Sequence, residues 1–222
     1  MFHWLERNPF FFSVGVFIVI AFAGLIEIVP NFAEASRPVK GIKPYSVLEL
    51  AGKNVYKKDN CIACHSQLIR PFKSETDRYG MYSLSGEYAY DRPFLWGSKR
   101  TGPDLHRVGN YRTTDWHENH MWDPKSVVPQ SIMPAYKHMF TNIADIDTAY
   151  AEAVTVKKVF NTPYDVEGGV KLGSLSDAKA AALAEAKSIA ADMKNQDVKD
   201  AVARGEIPEI VAIIAYMNNR LR

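Results

Sequence analysis

Cys61-Ile62-Ala63-Cys64-His65 is the stretch that constrains this chain most, because a fold containing it must be built around whatever the pattern holds. Two thiols separated by two residues and followed directly by an imidazole match the attachment site of a covalent c-type haem. The thiols add across the haem vinyl groups, and the adjacent His65 is delivered to one face of the iron as proximal ligand. Cys61 and Cys64 are the only two cysteines in 222 residues. A structural zinc site would want more thiolates or histidines at matching spacing. A thioredoxin-like motif should follow a strand and open a βαβ unit. Neither context accompanies the motif, so one covalent haem c is the reading carried forward.

Residues 10–26 run without a charge, and continuing through Glu27, Ile28 and Val29 brings the stretch to the length a helix needs to cross hydrocarbon, about 20 residues. Trp4 precedes it as an interfacial anchor, and Pro30-Asn31 ends it. A cleaved signal peptide is the competing reading, since Ala33-Glu34-Ala35 fits a cleavage pattern and Arg7 gives a weak basic leader. The apolar run exceeds the usual length of a signal's apolar region, which favours a retained anchor. The division expected is therefore a membrane anchor over 1–36 and a haem domain over 37–222. Arg37, Lys40 and Lys43 after the span argue for a cytoplasmic C-terminal side, but that rule is weak for long translocated domains. Bacterial c-type attachment takes place outside the cytoplasmic membrane, which places the domain in the periplasm on a single-pass inner-membrane anchor. A net charge of +2 with no long single-sign run gives nucleic-acid binding no electrostatic support.

Residues 37–45, with Pro38, Gly41 and Pro44, read as a linker. Ser46 and Glu49 then form a capping box, opening a helix over about 47–58 with Val47, Leu48, Leu50, Ala51 and Val55 on its apolar side. At the far end Ile207, Ile210, Val211, Ile214, Met217 and Leu221 recur at helical spacing. These two terminal helices are expected to pack across each other. Residues 174–193 are alanine-rich and helical, with a slim face of Ala178, Ala182, Ala186 and Ile189. No run alternates as a strand, so the fold class expected is all-α with long loops that wrap a ligand.

A low-spin electron carrier needs a second axial ligand, methionine or histidine. The candidates are Met81, Met121, Met133, Met139, His106, His117, His120 and His138. Met133 stands out because Pro129 and Pro134 stiffen its loop and Pro134 biases it towards extended backbone. Lys99 and Arg100 are candidate propionate contacts, with a solvated surface role as the alternative. Aromatics make up 12% of the chain and crowd 79–96 and 111–122. Tyr82, Tyr88, Phe94 and Trp96 either wall the haem or form part of an interface, where aromatics and arginines are enriched.

The order of the haem motif, Gly102-Pro103-Asp104-Leu105, Met133-Pro134 and an amphipathic C-terminal helix resembles a class I cytochrome c domain. Tyr79-Gly80, Gly86-Glu87-Tyr88, Tyr90-Asp91-Arg92-Pro93-Phe94, the run 96–105, Arg107-Val108-Gly109, Asp115-Trp116-His117 and Val127-Val128-Pro129 closely resemble the mono-haem subunit II of cbb3-type cytochrome c oxidases. His138 departs from the aromatic-rich continuation of that pattern. The resemblance implies that the Pro103 carbonyl accepts the second ring N–H of His65, a bond that orients such ligands. It also implies a calcium at a subunit interface, with the Ser98 backbone carbonyl as candidate ligand. It further implies electron relay from a di-haem cytochrome subunit to the haem b of the catalytic haem-copper subunit I, which reduces oxygen and pumps protons. No catalysis is expected on this chain alone. The alternatives are a stand-alone membrane-anchored cytochrome c, disfavoured by the long tailored segment 66–100, and a haem-based sensor, for which the sequence shows no output module.

Overall fold

The computed structural model describes residues 2–33, 37–97 and 99–220. Contacts divide the chain into two units, Met1–Arg37 and Pro38–Arg222. In the first, α1 (Phe2–Arg7) leads through Asn8 into α2 (Pro9–Ala33). Pro9 takes the first helical position, where its missing N–H breaks no intrahelical bond. The stretch Pro9–Pro30 spans 22 residues with a mean hydropathy of 2.5. At the rise of an α-helix it reaches about 33 Å, enough for a hydrocarbon core of about 30 Å. Phe17 and Val19 lie on different sides of α2 and are both largely exposed, and a helix apolar all round is suited to lipid. It is the one helix among the described residues long and apolar enough to cross a membrane.

The second unit begins its core at Tyr45. Ser46 Oγ accepts the Glu49 N–H at 3.1 Å while Glu49 Oε2 accepts the Ser46 N–H at 2.8 Å. This capping box opens α3 (Val47–Lys58). After it come α4 (Lys73–Tyr79), α5 (Thr114–Trp122), α6 (Pro124–Val127), α7 (Ile146–Phe160), α8 (Leu175–Ala191), α9 (Gln196–Ala203) and α10 (Glu209–Arg220). Among the described residues there is no strand, only an isolated antiparallel bridge between Ile143 and Pro208. The all-α class expected from the sequence holds.

α3 and α10 cross at very close range, and glycine is the reason. A Cβ on Gly52 would lie 2.0 Å from the Ala212 carbonyl oxygen and 2.8 Å from Tyr216 Cβ. Without that Cβ the two backbones meet. α10 is buried on every side through Met217, including Ala212, Ile213, Ala215 and Tyr216, which the helical stripe alone does not pick out. A helix enclosed all round is the centre of a core. Around it sit α3, α5, α8 and the turn at Val108–Asn110. The alanine face of α8 is buried at Ala178, Ala182, Ala186 and Ala190, so small side chains let that helix approach closely. Leu221, the last position of the expected stripe, lies outside the described residues.

α7 and α9 escape sequence periodicity. The buried positions of α7 are Ala149, Ala153 and Val156, too small to make a strong stripe, and α9 is only 8 residues long. Caps mark them instead: Asp145 Oδ1 accepts the Thr148 N–H at 2.9 Å, and Asn195 Oδ1 accepts the Val198 N–H at 3.1 Å. One core feature runs against simple patterning. Lys53, on α3, is fully buried, paired to Asp91 and donating to the Pro93 carbonyl at 3.0 Å. Burial pushes its ammonium pKa down, and Asp91 opposes that fall. A buried charge of this kind is tolerated only because it is paired and hydrogen-bonded.

Candidate functional site

α3 ends at Asp59, whose N–H still reaches the Val55 carbonyl at 2.9 Å. Asn60 then enters the left-handed region at φ 55°, which asparagine tolerates better than most residues. That reversal feeds a single tight turn, Cys61–Ala63, and the His65 N–H returns to the Cys61 carbonyl at 2.9 Å. Cys61 is buried and Cys64 exposed, and both thiols are free. Burial, with help from Asp59, pushes the Cys61 thiol up to about 12, so it rests as a thiol rather than a thiolate.

Residues 96–97 and 99–105 run back beside this turn. Gln67 N–H donates to the Trp96 carbonyl, Gly102 N–H to the Cys64 carbonyl and Leu105 N–H to the Ser66 carbonyl, each at 2.8 Å. Gly102 lies flush against the His65 ring, where a Cβ would come within 2.3 Å of Cε1. The Pro103 carbonyl is 2.8 Å from His65 Nδ1. With Nδ1–H donating to that carbonyl, Nε2 carries the free lone pair. Burial pulls the pKa of His65 down against that hydrogen bond, which keeps the ring neutral and able to ligate.

Both cysteines and His65 open onto a cavity of about 630 Å³, within the range of small-molecule and cofactor clefts. Ile213 and Met217 of α10, with Leu105 and Val108, supply apolar wall. Tyr56, Tyr79, Tyr111, Trp116 and Tyr136 supply aromatic wall, and Arg78 and Arg112 are its cations. Of the eight candidates for a second axial ligand, Met121, Met133 and His120 line it. Met81 is exposed, Met139 and His117 are buried in other parts of the core, and His106 is held by Ser83 Oγ at 2.7 Å and by Glu87. His138 pairs with Asp59. Met133 is half-buried, with its N–H on Ser131 Oγ at 3.2 Å, and the loop closes where the Tyr136 N–H meets the Met121 carbonyl at 2.8 Å. His120 is stacked on Trp116 with ring centroids 4.6 Å apart, and burial pulls its pKa down to about 4. A porphyrin needs a largely apolar slot, two thiols at one edge, an axial imidazole with a free nitrogen, a facing ligand and cations for its carboxylates. The residues present fit that group, and the Gly102 cradle against His65 is the most specific part of the fit.

The family described as cytochrome c oxidase, mono-heme subunit/FixO matches residues 2–221. The chain belongs to that family. A comparison with curated proteins found no match. Membership confirms the resemblance to the mono-haem subunit of cbb3-type oxidases and, with it, a role for one haem c in electron transport.

Within this FixO-family chain several expected contacts take a different course. Arg100 turns away from the cavity into a buried cluster. Its Nε donates to Ser66 Oγ at 2.5 Å, and its Nη2 to the Leu68 carbonyl at 2.6 Å and to Glu75 Oε2 at 2.7 Å. Asp104 completes the cluster by accepting from Ser66 Oγ at 2.6 Å and from the Leu68 N–H at 2.8 Å. Against the pull of burial, Arg100 and Arg70 hold the Glu75 carboxyl down to about 2. Lys99 is exposed and does not line the cavity. The cavity cations come instead from α4 and from the loop before α5, and nothing in linear spacing marks Arg78 or Arg112. Ser98 lies outside the described residues. The aromatic reading of 79–96 also shifts: Tyr82, Tyr88, Phe94 and Trp96 are not cavity wall. Tyr88 is core, while Phe94 stacks on Trp96 at 4.6 Å, with both partly exposed.

Proposed function

We propose that this chain relays single electrons through one haem c, held by Cys61 and Cys64, from a di-haem cytochrome subunit to the haem b of a catalytic haem-copper subunit. The single observation carrying the reading is the meeting of both thiols with a His65 ring oriented by the Pro103 carbonyl on one apolar cavity. When bound, the haem supplies one-electron chemistry, its iron alternating between ferric and ferrous states. His65 Nε2 and the Met133 thioether would hold the iron, and the hydrogen bonds that orient His65 and close the Met133 loop would limit their rearrangement between its oxidation states. Arg78 and Arg112 would hold the propionates. The apolar wall excludes water, and the methionine sulfur favours ferrous iron, so both raise the potential.

The domain faces the periplasm from the bacterial inner membrane, with α2 as its single span. Covalent haem attachment outside the cytoplasmic membrane supports that orientation. The exposed Phe94–Trp96 stack supports a docking face for a partner subunit. The calcium implied by the family resemblance belongs to the same reading, with Ser98 as its candidate ligand. The deciding experiment is the ratio of c-type haem to b-type haem and copper after purification by a tag on this chain in mild detergent. Excess c-haem with b-haem and copper supports the oxidase subunit. A single c-haem with neither, under conditions that keep a control oxidase intact, supports the anchored stand-alone carrier instead.

A further inference from the structure

Outside the haem cavity, three segments of the domain bring ligating side chains together. Asp59 closes the C-terminus of α3, His138 lies in the turn Lys137–Phe140, and Glu209 is the first residue of α10. Each offers one ligating atom, and these atoms all lie within 4.8 Å of one another. His138 Nε2 is 3.0 Å from Asp59 Oδ2. None of the three lines the haem cavity.

Glu209 adds a second observation, an acceptor without a donor from the chain. Its side chain is only 9% exposed. Oε1 takes the Lys58 ammonium at 2.5 Å, but Oε2 is buried with no hydrogen-bond partner. A buried carboxylate oxygen left unpaired is costly and calls for a compensating group. Two carboxylates, one imidazole and the Lys58 ammonium meet at this point. The backbone beneath them is held firmly: the Glu209 N–H donates to the Asn142 carbonyl at 2.8 Å, and the Asn142 N–H to the His138 carbonyl at 2.9 Å.

We propose that Asp59, His138 and Glu209 form a binding site for a divalent transition ion of the zinc type. One imidazole nitrogen and two carboxylate oxygens suit zinc, with solvent as fourth ligand, whereas calcium and magnesium prefer oxygen alone. Contacts of about 2.0–2.2 Å require the ligands to close by roughly an ångström. The half-exposed His138 and Lys58 side chains have room for that, His138 by rotating and Lys58 by swinging out to solvent. The ion ties the end of α3, just before Cys61, to the start of α10. It is a clamp on the two helices whose crossing forms the core.

The test uses the full-length chain with its covalent haem, in detergent and stripped with chelator. Zn²⁺ binding is measured by equilibrium dialysis with metal quantification, with Ca²⁺ and Mg²⁺ as controls. Wild type is expected to bind one Zn²⁺ that His138→Ala weakens at least tenfold, that Glu209→Gln also weakens and that Lys58→Met tightens. Zn²⁺ should raise the melting temperature of wild type and leave that of His138→Ala unmoved. An unchanged haem spectrum certifies the fold, and the exposed His138→Ala keeps the test decisive even where Glu209→Gln misfolds. Zn²⁺ stoichiometry and affinity that are the same in wild type and His138→Ala, including no binding in either, would overturn the site. So would equal binding of Ca²⁺ and Zn²⁺.

Discussion

Gly102 shows how one residue sets the geometry of a whole site. A methyl group there would meet the His65 ring at 2.3 Å, so Gly102→Ala must displace either the imidazole or the 101–103 backbone. The expected result is a protein that still folds but is destabilised by about 1–3 kcal/mol, with a haem absorption spectrum showing altered axial ligation. Met133 is tested more directly. Met133→His should keep the covalent haem and lower the midpoint potential substantially, because imidazole replaces a soft thioether. Met121→Leu, a neighbouring change in the cavity wall, should leave the axial ligation signature in place. A potential unmoved by Met133→His would remove Met133 from the iron. Buried titratable residues set the acid limit of the fold. Burial pulls fully buried His117 down to about 4 from its ordinary 6.5. In that interval the unfolded chain binds the proton that the native chain refuses, so stability is present above 6.5 and is lost as pH falls towards 4. Glu75 acts lower, from 4.5 to about 2, where protonation dissolves its pairing with Arg100. Unfolding midpoints measured against pH should therefore fall in two stages, and Glu75→Gln should flatten only the lower one.

At the scale of elements, the α3–α10 crossing holds the domain together, and its stability rests on the lack of a side chain. A Cβ at Gly52 meets backbone rather than a flexible side-chain tip, so the helices have to separate along their whole contact. Gly52→Ala is expected to cost about 3 kcal/mol or more despite its favourable helix propensity. Ser46→Ala, which only removes the α3 cap, should cost about 1 kcal/mol. Denaturant unfolding of the two variants gives the comparison. A Gly52→Ala protein as stable as wild type would mean that the helices do not cross as described.

For the whole molecule, the apolar N-terminal helix and the unit Pro38–Arg222 are each built from their own contacts. Every residue of the hydrophobic core comes from Tyr45 onward, and none of the residues Pro9–Pro30 is buried. Residues 38–222, exported behind a cleavable signal, should fold, attach haem and remain in solution without detergent, while the full chain stays with membranes. Fractionation followed by haem staining reads both. A truncated domain that aggregates or loses haem would show that its fold depends on the anchor.

The features legible in the primary structure are those whose physics is local. The haem motif at 61–65, the Ser46–Glu49 capping box, the helix at 47–58, the alanine-rich helix near 174–193 and the long uncharged run after Pro9 all involve residues close in sequence, where spacing alone decides which atoms meet. α7 and α9 lay beyond that reach because their buried faces are made of alanine and valine, whose significance depends on what packs against them. The cavity walls show the same boundary. Arg100 stands next to the Gly-Pro-Asp-Leu segment in sequence, yet Glu75 and Asp104 draw its guanidinium into a buried cluster. Arg78 and Arg112, 13 and 47 residues beyond His65, arrive on the cavity instead. The convergence of Asp59, His138 and Glu209 likewise spans most of the domain. Long-range charge pairing and helix crossing depend on the path of the chain in three dimensions, and no periodicity along the sequence encodes that path directly.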